Sequence, residues 1–513
     1  MKTVILTYAL MLVTISVEAL HPGAARLRDF TRLNKRVSNH AKRVPSISNL
    51  ARTIVNVEQL KPTDFLVNSS ALPLITFPLQ DSYAGRLPIS SHKNETKQMF
   101  FWYWPSSAPT GSKTLTIWFT GGPGCSSLMG LSTENGPFLL PAGSKAPSYN
   151  KYNWATVSDM HRPFGATRKT QCIRIDEPIG VGFNLGTPNI TNESQLADQF
   201  YDFLQQFYKV FPGLAKKQLY LSGESYAGFY IPYIASRIIH ASAIEKKALP
   251  LDFQSFLIVD GLYSSFVDAQ QAPVYNFVTK FQKYLNLNST TVNQIRNISV
   301  SCGYQKLMDS ITYPPKGKIP LPNGGKDIIP DGCDIWDIYN TASYEVNECF
   351  SHYKITAQCP ELDPVEEIYF SKDEQRPDVQ KALHVPNLGE WTFCSNNPVF
   401  VNDTDNSAYS ESLFADLLAN LPKGFSLWHG ALDGILFSEG TKLAIQNLTW
   451  AGQQGFKKPI TTPLIINGQQ YGLYHTERKL TYIEFSGAGH MIPQDQPAAA
   501  LHAFEWMLNG GNL

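Results

Sequence analysis

The chain has 513 residues, with 43 basic and 43 acidic side chains and a formal net charge of zero at pH 7. That balance leaves no basic surface for a nucleic-acid partner. Aromatic residues make up 12% and charged residues only 17%, which excludes a disordered chain and suits one large α/β domain with insertions, or two domains.

The first segment, MKTVILTYALMLVTISVEA, carries Lys2, an apolar run from Val4 to Val17 and a small-x-small end at Val17 and Ala19. It is expected to be a signal peptide, residues 1–19, cleaved after Ala19. The run is short for a bilayer span, no later stretch offers 18 apolar residues, and the LNGGNL tail is polar, so no membrane anchor is expected. Secretion is the expected fate, with a vacuole- or lysosome-like lumen as the alternative. Residues 20–50 are rich in Arg, Lys and Ser, with dibasic pairs at Lys35-Arg36 and Lys42-Arg43. They read either as a propeptide or as a flexible arm. Eight N-x-S/T sequons, at Asn68, Asn94, Asn189, Asn192, Asn288, Asn297, Asn402 and Asn447, agree with secretion.

Strand and helix signals alternate from about residue 98. KTLTIWFTGG (113–122) and TQCIRIDEP (170–178) read as strands that run into turns. NESQLADQFYDFLQQFYKVFPG (192–213) is an amphipathic helix with Leu196, Phe200, Phe203, Phe207 and Val210 on one stripe. QLYLSG (218–223) is a third strand, followed by a helical run through Tyr230, Ile234 and Ile238. Residues 263–375 break the rhythm with YPPKGKIPLPNGGKDIIPDGC and four of the seven cysteines, and read as an inserted, disulfide-stapled cap or a long surface loop. FSLWHG (425–430) and LTYIEFSG (480–487) are two more strands. A closing helix follows, with Asp495 as its cap, Pro497 in its first turn and Leu501, Phe504 and Leu508 as its stripe. The fold class is therefore α/β, a mainly parallel central sheet with helices on both faces. Residues 51–262 and 376–513 are the two parts of its core.

Seven cysteines in a secreted chain suggest three disulfides and one free thiol. Cys302, Cys333, Cys349 and Cys359 cluster, while Cys125, Cys172 and Cys394 are scattered. No C-x-x-C pair, H-E-x-x-H motif or histidine cluster points to a metal, and no cofactor is expected.

LSGESYAGFY (221–230) sets Ser225 between a strand and a helix, with small residues Gly223, Ala227 and Gly228 around it. That is the setting of a nucleophile elbow, where a strained turn lifts a serine hydroxyl clear of a sheet. Such a serine needs a base and an acid that orients the base, and in α/β-hydrolases both follow it at strand ends. Asp433 follows FSLWHG and His490 follows LTYIEFSG, so order and placement fit. His429 lies within a strand and His384 on a helical stretch, and both are expected to pack. For an oxyanion hole, Tyr226 supplies one backbone N–H and the glycine turn in WFTGGPGCSS (118–127) offers a second.

Together, WFTGGPGCSSLMGLSTENGPF (118–138), RIDEPIGVGFN (174–184), GESYAGFYIPY (223–233), HGALDGILF (429–437) and GAGHMIPQDQP (487–497) resemble the serine carboxypeptidase family, in particular its secreted and vacuolar fungal members. The resemblance implies an α/β-hydrolase fold and peptide or protein substrates, cleaved from the C-terminus through an acyl-enzyme. It implies Ser225 as nucleophile, His490 as general base and acid, and Asp433 as the residue orienting it. Gly122 and Tyr226 would form the oxyanion hole, and Met491 would line the substrate pocket. Thr120, Glu134 and Glu224 would meet the substrate's terminal carboxylate. Cys125 would pair with Cys394, the four cap cysteines would form two bridges of open connectivity, and Cys172 would be a buried thiol. Oligomeric state is not implied.

Two neighbouring carboxyls do not both ionise cheaply, so Glu134 and Glu224 would share a proton and donate it in a hydrogen bond to a carboxylate, favouring activity at acidic pH. The alternatives are a helix cap for Glu134 and a lysine partner for Glu224. Family members usually carry Asn where this chain has Thr120, and acyltransferases of the family often carry Thr there. Phe229 also fills a position that is commonly polar. Acyl transfer is therefore a second reading, and a catalytically inactive binding protein a third.

Overall fold

The computed structural model describes residues 55–509, apart from 107–111, 141–143, 156–169, 323–327, 359–368, 371–375 and 387–390. The expected signal peptide, most of the arm segment and Cys359 lie outside the described residues.

Eleven strands form one sheet. They are β1 (Leu66–Val67), β2 (Ser82–Pro88), β3 (Gln98–Trp104), β4 (Thr114–Phe119), β5 (Gln171–Ile175), β6 (Gln218–Glu224), β7 (Asp252–Val259), β8 (Phe425–Gly430), β9 (Thr462–Ile466), β10 (Gln469–Glu477) and β11 (Leu480–Phe485). Their order across the sheet is β1-β2-β3-β5-β4-β6-β7-β8-β11-β10-β9. The central run from β5 to β11 in that order is wholly parallel. Antiparallel strands extend it at both edges. Every residue of β4 and of β8 is buried, as strands covered on both faces must be.

Helix α1 (Glu193–Val210) starts where the Asn192 side chain accepts a hydrogen bond from the Gln195 N–H. Its stripe residues Leu196, Phe200, Phe203, Phe207 and Val210 are all buried, and they belong to the larger of two apolar clusters. Helix α2 (Ala227–Ile239) leaves the end of β6 and joins the same cluster.

The segment 263–375, expected as an insertion, is more helical than its sequence suggests. It contains α3 (Val274–Leu285), α4 (Ser289–Ser301), α5 (Tyr304–Asp309) and α6 (Ile335–Val346). Proline, glycine and asparagine are concentrated in its connections, which masked the short helical periods. Phe277 and Tyr339 pack on Phe437, and so tie the segment to the core. Cys302 is bonded to Cys333. Cys349 is also disulfide-bonded, and Cys172 is a buried free thiol.

The opposite face of the sheet is closed by α7 (Pro497–Asn509), whose Phe504 stacks on Trp154 at 3.9 Å between ring centres. Asp495 does not cap this helix, contrary to expectation. It ends the preceding turn, Ile492–Asp495, where its carboxylate accepts from the Gly489 N–H and pairs with Lys354 Nζ, both at 2.7 Å. A partly buried ion pair outweighs a neutral cap bond, and Pro497 starts the helix unaided.

Among the sequons, Asn68, Asn94, Asn189, Asn288, Asn297 and Asn402 are exposed. Asn192 and Asn447 are half-buried, and the Asn447 amide is bonded on both sides to the Ile319 backbone. No helix among the described residues is long and apolar enough to cross a membrane.

Candidate active site

Ser225 follows the last residue of β6 with φ of +62°, left-handed backbone that a residue with a Cβ adopts only at a cost. The turn is held by three backbone bonds: Ser225 N–H to Val259 O, Leu262 N–H to Ser225 O, and Gly228 N–H to Ser225 O. Small residues are required on both sides. A Cβ on Gly228 would lie 2.3 Å from Leu262 O, and one on Gly223 would lie 2.5 Å from Phe119 O. The turn thus presents a serine at the C-terminal end of the central parallel strands. Tyr226 opens α2, where the first N–H groups have no intrahelical acceptor.

Asp433 and His490 come from loops at the ends of two adjacent parallel strands, β8 and β11. His490 Nδ1–H donates to Asp433 Oδ2 at 2.8 Å. The other carboxylate oxygen accepts from the Ile435 and Leu436 N–H groups at 2.9 and 3.1 Å. Both side chains are buried. Segment 263–375 clamps these loops: His490 N–H donates to Tyr353 O at 2.7 Å, and Gly434 N–H to His352 O at 2.8 Å. A Cβ at Gly489 would lie 2.2 Å from Tyr353 O, so the glycine before the histidine permits that contact.

The glycine turn lies directly against the elbow. A Cβ on Gly121 would lie 2.3 Å from the Tyr226 nitrogen and 2.9 Å from Ser225 Cβ. Gly122, at φ +117°, precedes a cis bond to Pro123. The turn is pinned from behind by the Cys125–Cys394 disulfide and by Ser395 N–H donating to Gly124 O. Asp176 completes the support: its carboxylate accepts from Ser126 Oγ at 2.6 Å and from the Ser127 and Phe183 N–H groups. Burial pushes the Asp176 carboxyl up to about 6 despite these bonds.

Glu134 and Glu224 meet beside this turn, both almost wholly buried. Burial pushes the Glu134 carboxyl up to about 7, with Glu224 as its nearest partner and Arg174 and His490 pulling the other way. Glu224 is driven well above the usual carboxylate range, first by burial and then by Glu134. Apart from the hydrogen bond the two carboxyls share, no protein donor satisfies either oxygen of Glu134, or Oε2 of Glu224. Glu134 is therefore not a helix cap, and Glu224 has no lysine partner among the groups that shift it. Thr120, also buried, accepts from Trp118 Nε1 at 3.1 Å and leaves its own hydroxyl proton to donate. Met491 is buried and starts the turn after His490. His429 packs, with Nε2–H on Leu436 O and Nδ1 bonded to Thr441. His384, contrary to expectation, is exposed, with its Nδ1 bonded to Ala84 O.

Three residues of the site escaped sequence reading. Arg174, inside β5, places a buried guanidinium against Asn135 and over the Trp118 ring, as the cation nearest Glu134. Asp495 bonds the loop of His490. Asp260, one residue past β7, lies behind Asp433. The first could have been found as an ionisable residue in the middle of an apolar strand; the others had no local signal. Asp260, Asp433 and His490 bring ligand atoms within 4.8 Å of one another. Hydrogen bonds already engage both Asp433 carboxylate oxygens and the His490 Nδ1.

A buried base bonded to a carboxylate, a strained serine and backbone N–H groups beside it suit nucleophilic acyl transfer. Comparison with known proteins agrees. The family profile described as serine carboxypeptidase matches residues 73–510. A probable serine carboxypeptidase of Arthroderma benhamiae is 36% identical over 478 residues, covering 87% of each chain. Serine-type carboxypeptidase F of Aspergillus niger is 31% identical over 479 residues, 85% of this chain and 86% of that one. A prohormone-processing carboxypeptidase from Saccharomyces cerevisiae shares the fold, with a TM-score of 0.67 at 22% identity over 88% of this chain and 96% of that one.

Proposed function

The chain belongs to the serine carboxypeptidase family, and from that premise we propose that Ser225, His490 and Asp433 are its nucleophile, general base and orienting acid. The enzyme is a serine-type carboxypeptidase of the α/β-hydrolase fold, acting on peptide and protein substrates. In the proposed reaction, Ser225 Oγ attacks the carbonyl carbon of the last peptide bond while His490 Nε2 takes its proton. The N–H groups of Gly122 and Tyr226 receive the developing oxyanion. His490 then protonates the departing amine, releasing the C-terminal amino acid, and water frees the acyl group by the reverse sequence.

The buried pair Glu134 and Glu224 carries the exopeptidase reading. One proton held between them donates to the substrate's terminal carboxylate, with Thr120 Oγ as a further donor, and Met491 lines the pocket. This reading makes the enzyme most effective at acidic pH. Residues 51–262 and 376–513 form its core and 263–375 its cap. The signal sequence and the sequons support a secreted or vacuolar glycoprotein. The test is release of C-terminal amino acids from blocked dipeptides between about pH 4 and 6; an active Ser225→Ala protein, or no release by the wild type, would refute it.

A second reading, acyl transfer to an acceptor other than water, rests on Thr120 in place of the family's Asn. Transfer exceeding hydrolysis at low acceptor concentration would favour it.

A further inference from the structure

Asp260 stands immediately after β7, at φ +45°, with none of its side chain exposed to solvent. Its backbone N–H donates to Trp428 O at 2.9 Å, and its Oδ1 accepts from the Gly430 N–H at 2.7 Å, so the carboxyl is fixed against the end of β8. Its Oδ2 has no partner other than the Asp433 carboxyl. One of its oxygens is within 4.8 Å of both the Asp433 carboxylate and the His490 ring.

Apart from His490 itself, the groups facing it carry no positive charge that would let it ionise. Facing it are His429 from β8, Asp433 and His490 from the two loops, Glu224 from the end of β6, Tyr263 and Asp495. His429 Nε2 is 3.4 Å from Asp260 Oδ1, but that nitrogen donates to Leu436 O at 2.9 Å. Its Nδ1 is bonded to Thr441 Oγ1, which in turn bonds the Tyr263 hydroxyl, an arrangement that suits a neutral ring. Burial lowers the His429 pKa as well. Two carboxyls buried this closely without a cation hold one proton between them.

We propose that Asp260 is a positioning residue that keeps this proton and shares it with Asp433, tempering the negative charge that Asp433 presents to His490. A hydrogen bond given to a carboxylate lowers its hold on a protonated imidazole. The hold of Asp433 on a protonated His490 is therefore weaker than that of a lone Asp433. The proposal rests on the catalytic reading of Asp433 and His490, which Ser225-dependent release by the wild-type enzyme tests separately.

The experiment compares kcat/KM against pH, on a blocked dipeptide, for wild type, Asp260→Ala and Asp260→Asn. Asp260→Ala removes the donor, and its acid limb moves up by about one pH unit. Asp260→Asn keeps an N–H donor and an oxygen for Gly430, and restores the wild-type limb. The His490 Nδ1–H resonance, followed by proton NMR, shows the same displacement in its titration. Should Asp260→Ala not fold, Asp433→Asn supplies the second arm. Asp260 then has no charged partner and ionises near His490, so Asp433→Asn retains about tenfold more activity than Asp433→Asn/Asp260→Asn. A folded Asp260→Ala enzyme with the wild-type profile, a folded Asp260→Asn enzyme that fails to restore it, or equal activity of that single and double variant would overturn the proposal.

Discussion

His490 Nδ1 lies 2.8 Å from Asp433 Oδ2, a bond between two loops that only the parallel pairing of β8 and β11 brings together. With Ile435 and Leu436 N–H groups filling the other oxygen, Asp433 is held as an acceptor that fixes the imidazole tautomer. Asp433→Asn keeps the shape but removes the charge and favours the wrong tautomer. Its kcat is expected to fall by about three to four orders of magnitude, with a circular dichroism spectrum like the wild type's. A loss below tenfold would remove Asp433 from the reaction.

The pair Glu134 and Glu224 makes a prediction about pH that depends on the substrate. Glu134 is pushed up to about 7 and Glu224 well above the usual carboxylate range, so one proton leaves the pair as pH rises through about 7 while the other stays on it. Affinity for peptides ending in a free carboxylate is expected to fall as pH rises through about 7, because an ionised Glu134 then stands beside the substrate's charge and one donated proton is gone. Peptides whose terminus is amidated or esterified lack that charge and should show a much flatter KM. In Glu134→Gln the amide donates at every pH, so KM for free-carboxylate peptides should lose most of its rise above pH 7. Parallel KM profiles for the two substrate types would exclude the pair from carboxylate recognition.

Stability should also be greatest in mild acid. Glu134 is pushed up to about 7 and Asp176 to about 6, while Glu177, Glu193, Glu224 and Asp260 are raised well above the usual range, each first by burial. Between about pH 5 and 7 the folded protein keeps protons that an unfolded chain releases, so each of these groups makes stability fall as pH rises. His352, pushed down to about 4, and His429, also lowered, act oppositely, since the unfolded chain protonates them below about 6.5. Six raised carboxyls outweigh two lowered imidazoles. The thermal midpoint at pH 5 is expected to exceed that at pH 7.5 by about 5 °C, measured at one scan rate; a higher midpoint at pH 7.5 would show that these carboxyls ionise in the folded state.

The central strands and the residues at their ends were legible in the sequence because strand ends carry local signals: an apolar run, then glycine, serine or a charged residue. β4, β5, β8 and β11 fall within the stretches read as strands and β6 runs one residue past its own, and Ser225, Asp433 and His490 lie at three of their ends. The α/β-hydrolase fold follows from those elements and their parallel pairing. What was not legible depends on neighbours distant in the chain. Asp260 is 173 residues from Asp433 (433 − 260), and nothing around it in the sequence marks it as facing another carboxyl. Asp495 looked like a helix cap because Lys354, its partner, lies in segment 263–375. That segment's helices were hidden because the proline- and glycine-rich stretch before Ile335 dominates the reading.

Thr120 decides how far the chain follows its family. Its backbone N–H donates to Ser127 Oγ and its hydroxyl accepts from Trp118 Nε1, so one O–H remains to reach a ligand. An asparagine there would offer two N–H donors in a plane and keep an oxygen for the Trp118 indole. Thr120→Asn is therefore expected to lower KM for peptides with a free C-terminal carboxylate, by about tenfold to a hundredfold, the worth of one added hydrogen bond to a charged group. kcat should change little, because this contact is the same in substrate and transition state. With an amine or alcohol acceptor present, the wild type should partition more of its acyl-enzyme to transfer than Thr120→Asn does, if the looser carboxylate site admits acceptors better. Equal partition together with an unchanged KM would show that the threonine neither binds the carboxylate nor tunes the fate of the acyl group.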